Sequence, residues 1–179
     1  MCPDDLVLTP LGLRFCGRRY PCSIGRGGLT LAKREGDGAT SVGVMRITGL
    51  LYRPDRMARP AAWAHPIGPR DLWSDDPARS DYNQPARAPY PGSHEALRRP
   101  DPLYDLVLVT DWNRPDAMPG RGSCIFIHQW RRPGFPTAGC VALGRDHLRR
   151  IAAAIRPGAR LIVRPRAWRC PSDPPTPKS

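Results

Sequence analysis

The chain has 179 residues, of which 40% are hydrophobic, with 23 prolines, 17 glycines and a formal charge of +12 at pH 7. That length can bury a core without help from metal or disulfides, and apolar runs recurring throughout exclude a disordered chain. No run of 18 or more apolar residues occurs, which excludes a membrane-spanning helix.

In chain order, "LVLTPLGLRF" reads as two short strands around a Pro-Leu-Gly turn, and "RYPCSI" alternates Tyr20, Cys22 and Ile24 onto one face. Strands follow at about 29–33 and 42–52, joined by a Gly-Asp-Gly loop. Residues 53–100 are rich in proline and arginine and lack periodicity, which predicts a long irregular excursion. Its aromatic residues Trp63, Trp73, Tyr82 and Tyr90 predict packing rather than disorder. "LYDLVLVTDW" is nearly continuous in apolar residues and reads as a central strand, and "GSCIFIHQW" as another. In "GRDHLRRIAAAIRPG", Leu148, Ile151, Ala152 and Ile155 fall at helical spacing, with Asp146 near the start and Pro157-Gly158 as the stop. "ARLIVRP" closes with a last strand. The prediction is a mainly β, single domain over 1–168 with one helix against the sheet, and a Pro-rich, frayed tail over 169–179.

The positive charge is almost wholly arginine, since Lys33 and Lys178 are the only lysines. Such a surface suits nucleic acid, an anionic membrane or a cell-wall polyanion, but the arginines are scattered rather than clustered, which argues against nucleic acid. The six cysteines form no C-x-x-C pair and no Cys/His spacing of a zinc site, so no metal is expected. Cys16 and Cys22 flank a turn and are near enough in sequence to approach each other. The first 22 residues carry acidic groups where an export signal needs basic ones, and no export signal is expected in them.

One stretch concentrates chemistry: "CIFIHQWRRPGFPTAGCVAL", residues 124–143. Alternation places Cys124, Phe126 and His128 on one strand face, with Ile125 and Ile127 on the other. His128 ends the first apolar run and Cys140 begins the second, after Gly139, whose freedom permits a tight turn. The expected result is a displayed sulfur on a fixed backbone, with the N–H groups of Gly139 and Cys140 available to an oxyanion. A thiol needs a base to become a nucleophile, and His128 is the obvious one. Thr137 either assists the site or caps the turn. Arg121, Arg131 and Arg132 flank it and are candidate contacts for substrate carboxylates, or a solvated basic rim. Asp75, Asp76, Asp81, Tyr82 and Asn83 read as a network pinning the excursion more than as a groove, and His65 and His94 as surface residues.

The arrangement H-x8-[ST]-x-G-C-V-x-L at His128, Thr137, Gly139 and Cys140 resembles the signature of the L,D-transpeptidase (YkuD-type) catalytic domain. "KREGDGATSVG", "PGRGSCIFIH" and "HPIGPRDLWSDDPARSDYN" resemble further segments of that family, so the likeness spans roughly residues 5–165. Ala138 stands where many members have histidine, Ala142 where many have arginine or asparagine, and Ser41 replaces a usual proline; the His-to-Cys loop is also short. The resemblance implies a mixed β-sheet or sandwich domain with a helix following the cysteine strand. It implies that His128 is the base and Cys140 the nucleophile, acting on peptidoglycan stem peptides as donor and acceptor, with no cofactor. The diamino acid at position three is transferred with loss of D-alanine; hydrolysis instead gives an L,D-carboxypeptidase. The family works in the periplasm or cell envelope, and a backbone carbonyl often orients its histidine. The contrasting expectation is a non-catalytic wall-binding domain of the same fold. Nothing in the sequence bears on oligomeric state.

Overall fold

The computed structural model describes residues 4–165, so the predicted tail over 169–179 lies outside the described residues. The chain opens with β1 (Leu6–Thr9), β2 (Gly12–Phe15), β3 (Arg18–Tyr20) and β4 (Cys22–Ser23). The turn between β1 and β2 requires Gly12: its φ is +117°, and a Cβ there would lie 2.4 Å from the Tyr20 carbonyl oxygen. Next come β5 (Leu29–Thr30), β6 (Thr40–Ser41) and the ten-residue β7 (Gly43–Tyr52). The excursion holds β8 (His65–Pro66), β9 (Asp71–Ser74), β10 (Pro85–Arg87) and β11 (His94–Ala96). The remainder is β12 (Leu106–Thr110), β13 (Phe126–Gln129), β14 (Val141–Leu143), helix α1 (Arg145–Ala154) and β15 (Arg160–Val163).

The main sheet runs β3-β2-β1-β15-β7-β12-β13-β14-β4, with β8 added to β7. Its two outer strands, β3 and β4, are consecutive in the chain and separated only by Pro21. One short covalent link therefore ties the opposite edges together and curls the sheet nearly into a barrel. Inside lie Leu6, Met45, Ile47, Leu108, Ile127 and Leu143, joined by Leu148, Ile151 and Ala152 of α1 and by Ile155 just after it. Tyr20, Cys22 and Ile24 point into this same core, as their alternation predicts. Among the described residues α1 is the one α-helix, and no helix is long and apolar enough to cross a membrane.

A second apolar cluster lies on the outer face of the sheet. There Val107, Val109, Cys124, Phe126 and Cys140 pack beneath Trp73, Leu97 and Tyr104. β12 is thus covered on both faces, which is why its sequence shows no polar alternation. The excursion differs from the irregular segment predicted, because β10-β9-β11 form a small antiparallel sheet. Proline masks it in sequence; Pro85 sits at the start of the outer strand β10, where a missing N–H is tolerated. Asn83 locks this sheet to the main one: its Oδ1 accepts from Trp73 Nε1 (3.0 Å) and Cys124 N (3.1 Å), and its Nδ2 donates to the carbonyls of Trp112 and Asn113. The polar group read from the sequence is therefore a network that pins the excursion. Two further readings change. The strand expected over 29–33 is only Leu29–Thr30, with Leu31 exposed, and Cys16 and Cys22 are both free thiols, one exposed in a turn and the other buried in β4.

"KREGDGAT" forms a turn held by Asp37, whose carboxylate accepts from Arg34 N and Ala39 N and pairs with buried Lys33 at 2.5 Å. The turn delivers Thr40, which is fully buried. Its hydroxyl accepts from Gly25 N–H (2.9 Å) and donates to the Gly139 carbonyl (2.8 Å), across 99 residues of chain. Replacing Thr40 by Val orphans both backbone groups, each at about 1–3 kcal/mol. Urea unfolding of Thr40→Val should show that loss, while Thr40→Ser should stay within about 1 kcal/mol of the parent.

Candidate active site

β13 and β14 pair in parallel, with Ile127 opposite Val141 and His128 opposite Ala142. One step back along that register sets Cys140 opposite Phe126, and paired residues share a face. His128 and Cys140 therefore lie on the same face of neighbouring strands, two positions out of step, roughly 8 Å apart at the backbone by strand geometry. The crossover between them is held down by Thr137, which bridges to Gly25 and bonds Ile24 O and Arg26 N through its own backbone.

His128 is 7% exposed, and its Nδ1 lies 2.7 Å from the Gln129 carbonyl. A carbonyl can only accept, so Nδ1 carries the proton and Nε2 keeps the lone pair. A backbone carbonyl thus orients the imidazole, while Asp111 is engaged elsewhere, accepting from Arg46 N. Burial pushes the imidazole down to about 4, against the smaller help of the Gln129 carbonyl. The Tyr104 ring packs edge-on against it, with centroids 5.2 Å apart.

Cys140 is 9% exposed rather than displayed. Its sulfur donates to the Cys124 carbonyl at 2.9 Å and accepts from Phe126 N–H at 3.3 Å. The left-handed φ of Cys124, +52°, accompanies its N–H bond to Asn83. Burial pushes the thiol up to about 12, the Phe126 N–H opposing it and the charge of Glu95 adding to it. At rest both groups are neutral, and the thiol proton points at a carbonyl.

The turn before the cysteine corrects one expectation. Gly139 N–H donates to Thr137 Oγ1 (3.1 Å), and that hydroxyl donates to Cys140 O (2.6 Å). Thr137 caps the turn, and in this arrangement Gly139 N–H is not free to serve an oxyanion. Gly139 is required by its φ of +142° and by the Ala39 carbonyl, 2.9 Å from where a Cβ would stand.

A cavity of about 210 Å³ opens over His128, walled by Tyr104, Glu95, Arg99, Arg131 and Ala138 among others. Cys140 itself does not line it. Of the three flanking arginines only Arg131 does; Arg132 stacks with it on Phe135, and Arg121 reaches Met118 Sδ instead. A larger cavity of about 660 Å³ lies over the Gly25–Gly28 turn and shares Pro136 with the first. Tyr104, Glu95 and Arg99 escaped the sequence reading. Tyr104 looks there like the start of a core strand, and the other two fall in a segment without periodicity.

The imidazole supplies a stability prediction. Unfolded, a histidine binds its proton near pH 6.5, whereas folded His128 resists until about 4. Stability is therefore lost as pH falls through that window, by about 3 kcal/mol for this residue. Urea midpoints of the parent should fall more steeply between pH 7 and 4 than those of His128→Gln.

Compared with known proteins, residues 17–163 match the family model for the L,D-transpeptidase catalytic domain, YkuD. No curated protein and no solved structure matches the chain. The match covers most of the chain, including the main sheet from β3 onward, the crossover and both candidate residues, and its mainly β fold with one helix is that of the family. The chain belongs to the L,D-transpeptidase catalytic domain (YkuD) family.

Proposed function

We propose that the protein is a cysteine acyltransferase of the cell envelope, acting on peptidoglycan stem peptides. The observation that carries this reading is the pairing just described: His128 Nε2, unprotonated and beside a cavity, on the same sheet face as Cys140. Family membership supports the substrate class.

The reaction begins when the thiol leaves the Cys124 carbonyl and passes its proton to His128 Nε2. The sulfur attacks the carbonyl carbon of residue three of a tetrapeptide stem, and Cys140 N–H holds the developing oxyanion. The tetrahedral intermediate collapses, its C–N bond breaks, and the D-alanine amine takes the proton from His128. A thioester remains. A side-chain amine of a second stem then attacks the thioester, gives its proton to His128 and forms the 3→3 amide link, and the thiol is regenerated. Water in place of the amine gives a carboxypeptidase.

The buried, neutral thiol favours a second reading, a domain that binds the wall without cutting it. One experiment separates the two. Incubated with a tetrapeptide muropeptide, the parent should release D-alanine, and Cys140→Ala should not. His128→Ala should slow thiol acylation by a carbapenem at least about 100-fold. Binding without D-alanine release or a covalent adduct would establish the second reading, and a cross-linked dimer against a free tripeptide decides between transfer and hydrolysis.

A further inference from the structure

The wall of the His128 cavity carries one carboxylate, that of Glu95. β11 holds it half-buried, its side chain 36% exposed. Among the described residues no hydrogen bond ends on it, and its cationic partner, Arg99 Nη1, stands at 3.7 Å, too far for one. Arg99 is committed elsewhere. Its Nε and Nη2 grip Asp101 at 2.9 and 2.8 Å, and its plane lies over Tyr104 at 5.2 Å. Four acidic groups near the excursion differ from Glu95: Asp55, Asp81, Asp101 and Asp105 each accept a hydrogen bond from an arginine. Glu95 is left with open acceptor sites facing the His128 cavity. Its charge is felt by Cys140 and by the Tyr104 phenol, which sets it beside the candidate chemistry. Arg131 contributes a second guanidinium to the same wall.

A half-desolvated carboxylate with unmet acceptors is built to receive a cation, and guanidinium groups beside it suit a neighbouring anion. The cavity, about 210 Å³, is smaller than the roughly 300–1,000 Å³ that encloses a whole small-molecule ligand, so it suits one side chain. The scissile carbonyl belongs to residue three, and the side chain of that residue starts one bond away. We propose that Glu95 is a specificity residue, its carboxylate binding the terminal ammonium of the donor's third residue. Arg131 and Nη1 of Arg99, the arm that does not grip Asp101, hold the carboxylate when that terminus is an α-amino-acid head. The inference rests on the acyltransferase reading and names what that site selects.

The ammonium could equally come from the acceptor stem, and kinetics distinguish the two sources. D-alanine release is measured in the acylation burst, before a second stem resolves the thioester, on a tetrapeptide with diaminopimelate at position three and on the same peptide acetylated at its terminal amine. Glu95→Gln should raise KM for the free-amine peptide about 10- to 100-fold, with the effect on KM rather than kcat. Acetylation should cost the parent a similar factor and abolish the difference between parent and variant. Glu95→Asp should recover part of the loss. Equal losses on both peptides would mean a structural role and overturn the proposal. So would an unchanged KM with an altered ratio of cross-link to hydrolysis, which would assign Glu95 to the acceptor. A parent that releases no D-alanine overturns the acyltransferase reading together with this one; the preceding outcomes overturn this one alone.

Discussion

Everything at the candidate site depends on the parallel pairing of β13 with β14. An antiparallel hairpin would need only a two-residue turn, but a parallel neighbour demands a crossover that leaves the sheet and returns. Residues 130–140 are that crossover. It carries the cysteine back beside the strand that bears the histidine, in a register that puts both side chains on one face. The return is fixed from below by Thr40, which holds the Gly139 carbonyl, and from the side by the bridge between Thr137 and Gly25. The Lys33–Asp37 turn, distant in sequence, acts here by presenting Thr40.

The same pairing sets the protonation states. β13 and β14 are covered on one face by the barrel core with α1 and on the other by the Trp73–Tyr104 cluster. A thiol and an imidazole so enclosed are both driven to their neutral forms, one up and the other down, because burial penalises whichever form is charged. The resting arrangement is thus a neutral pair rather than a thiolate–imidazolium pair. Breaking the bond from Cys140 Sγ to the Cys124 carbonyl is part of any activation. The excursion that supplies the cover also supplies Glu95 and Arg99, so the elements that exclude water also wall the cavity over His128.

Much of this was legible beforehand. Alternation in "CIFIHQ" separated Cys124, Phe126 and His128 from Ile125 and Ile127, and the two cores divide along that line. The helical spacing of Leu148, Ile151 and Ala152 located α1 and its buried stripe. The excursion was misread as irregular because prolines interrupt its short strands and its partners lie far away in sequence. Asn83 was visible as a polar residue, but its four hydrogen bonds join segments 10 to 41 residues distant.

Local pattern by itself determined the longer strands of the main sheet, the helix and the histidine and cysteine at the ends of neighbouring apolar runs, because periodicity and glycine placement are properties of adjacent residues. Tertiary structure alone decided three things. It turned the thiol inward to a carbonyl, it spent Gly139 N–H on Thr137, and it brought Glu95 and Arg99 to the wall above His128. Each arises from contact between segments far apart in the chain, where burial and hydrogen-bond competition, rather than spacing, choose the partner.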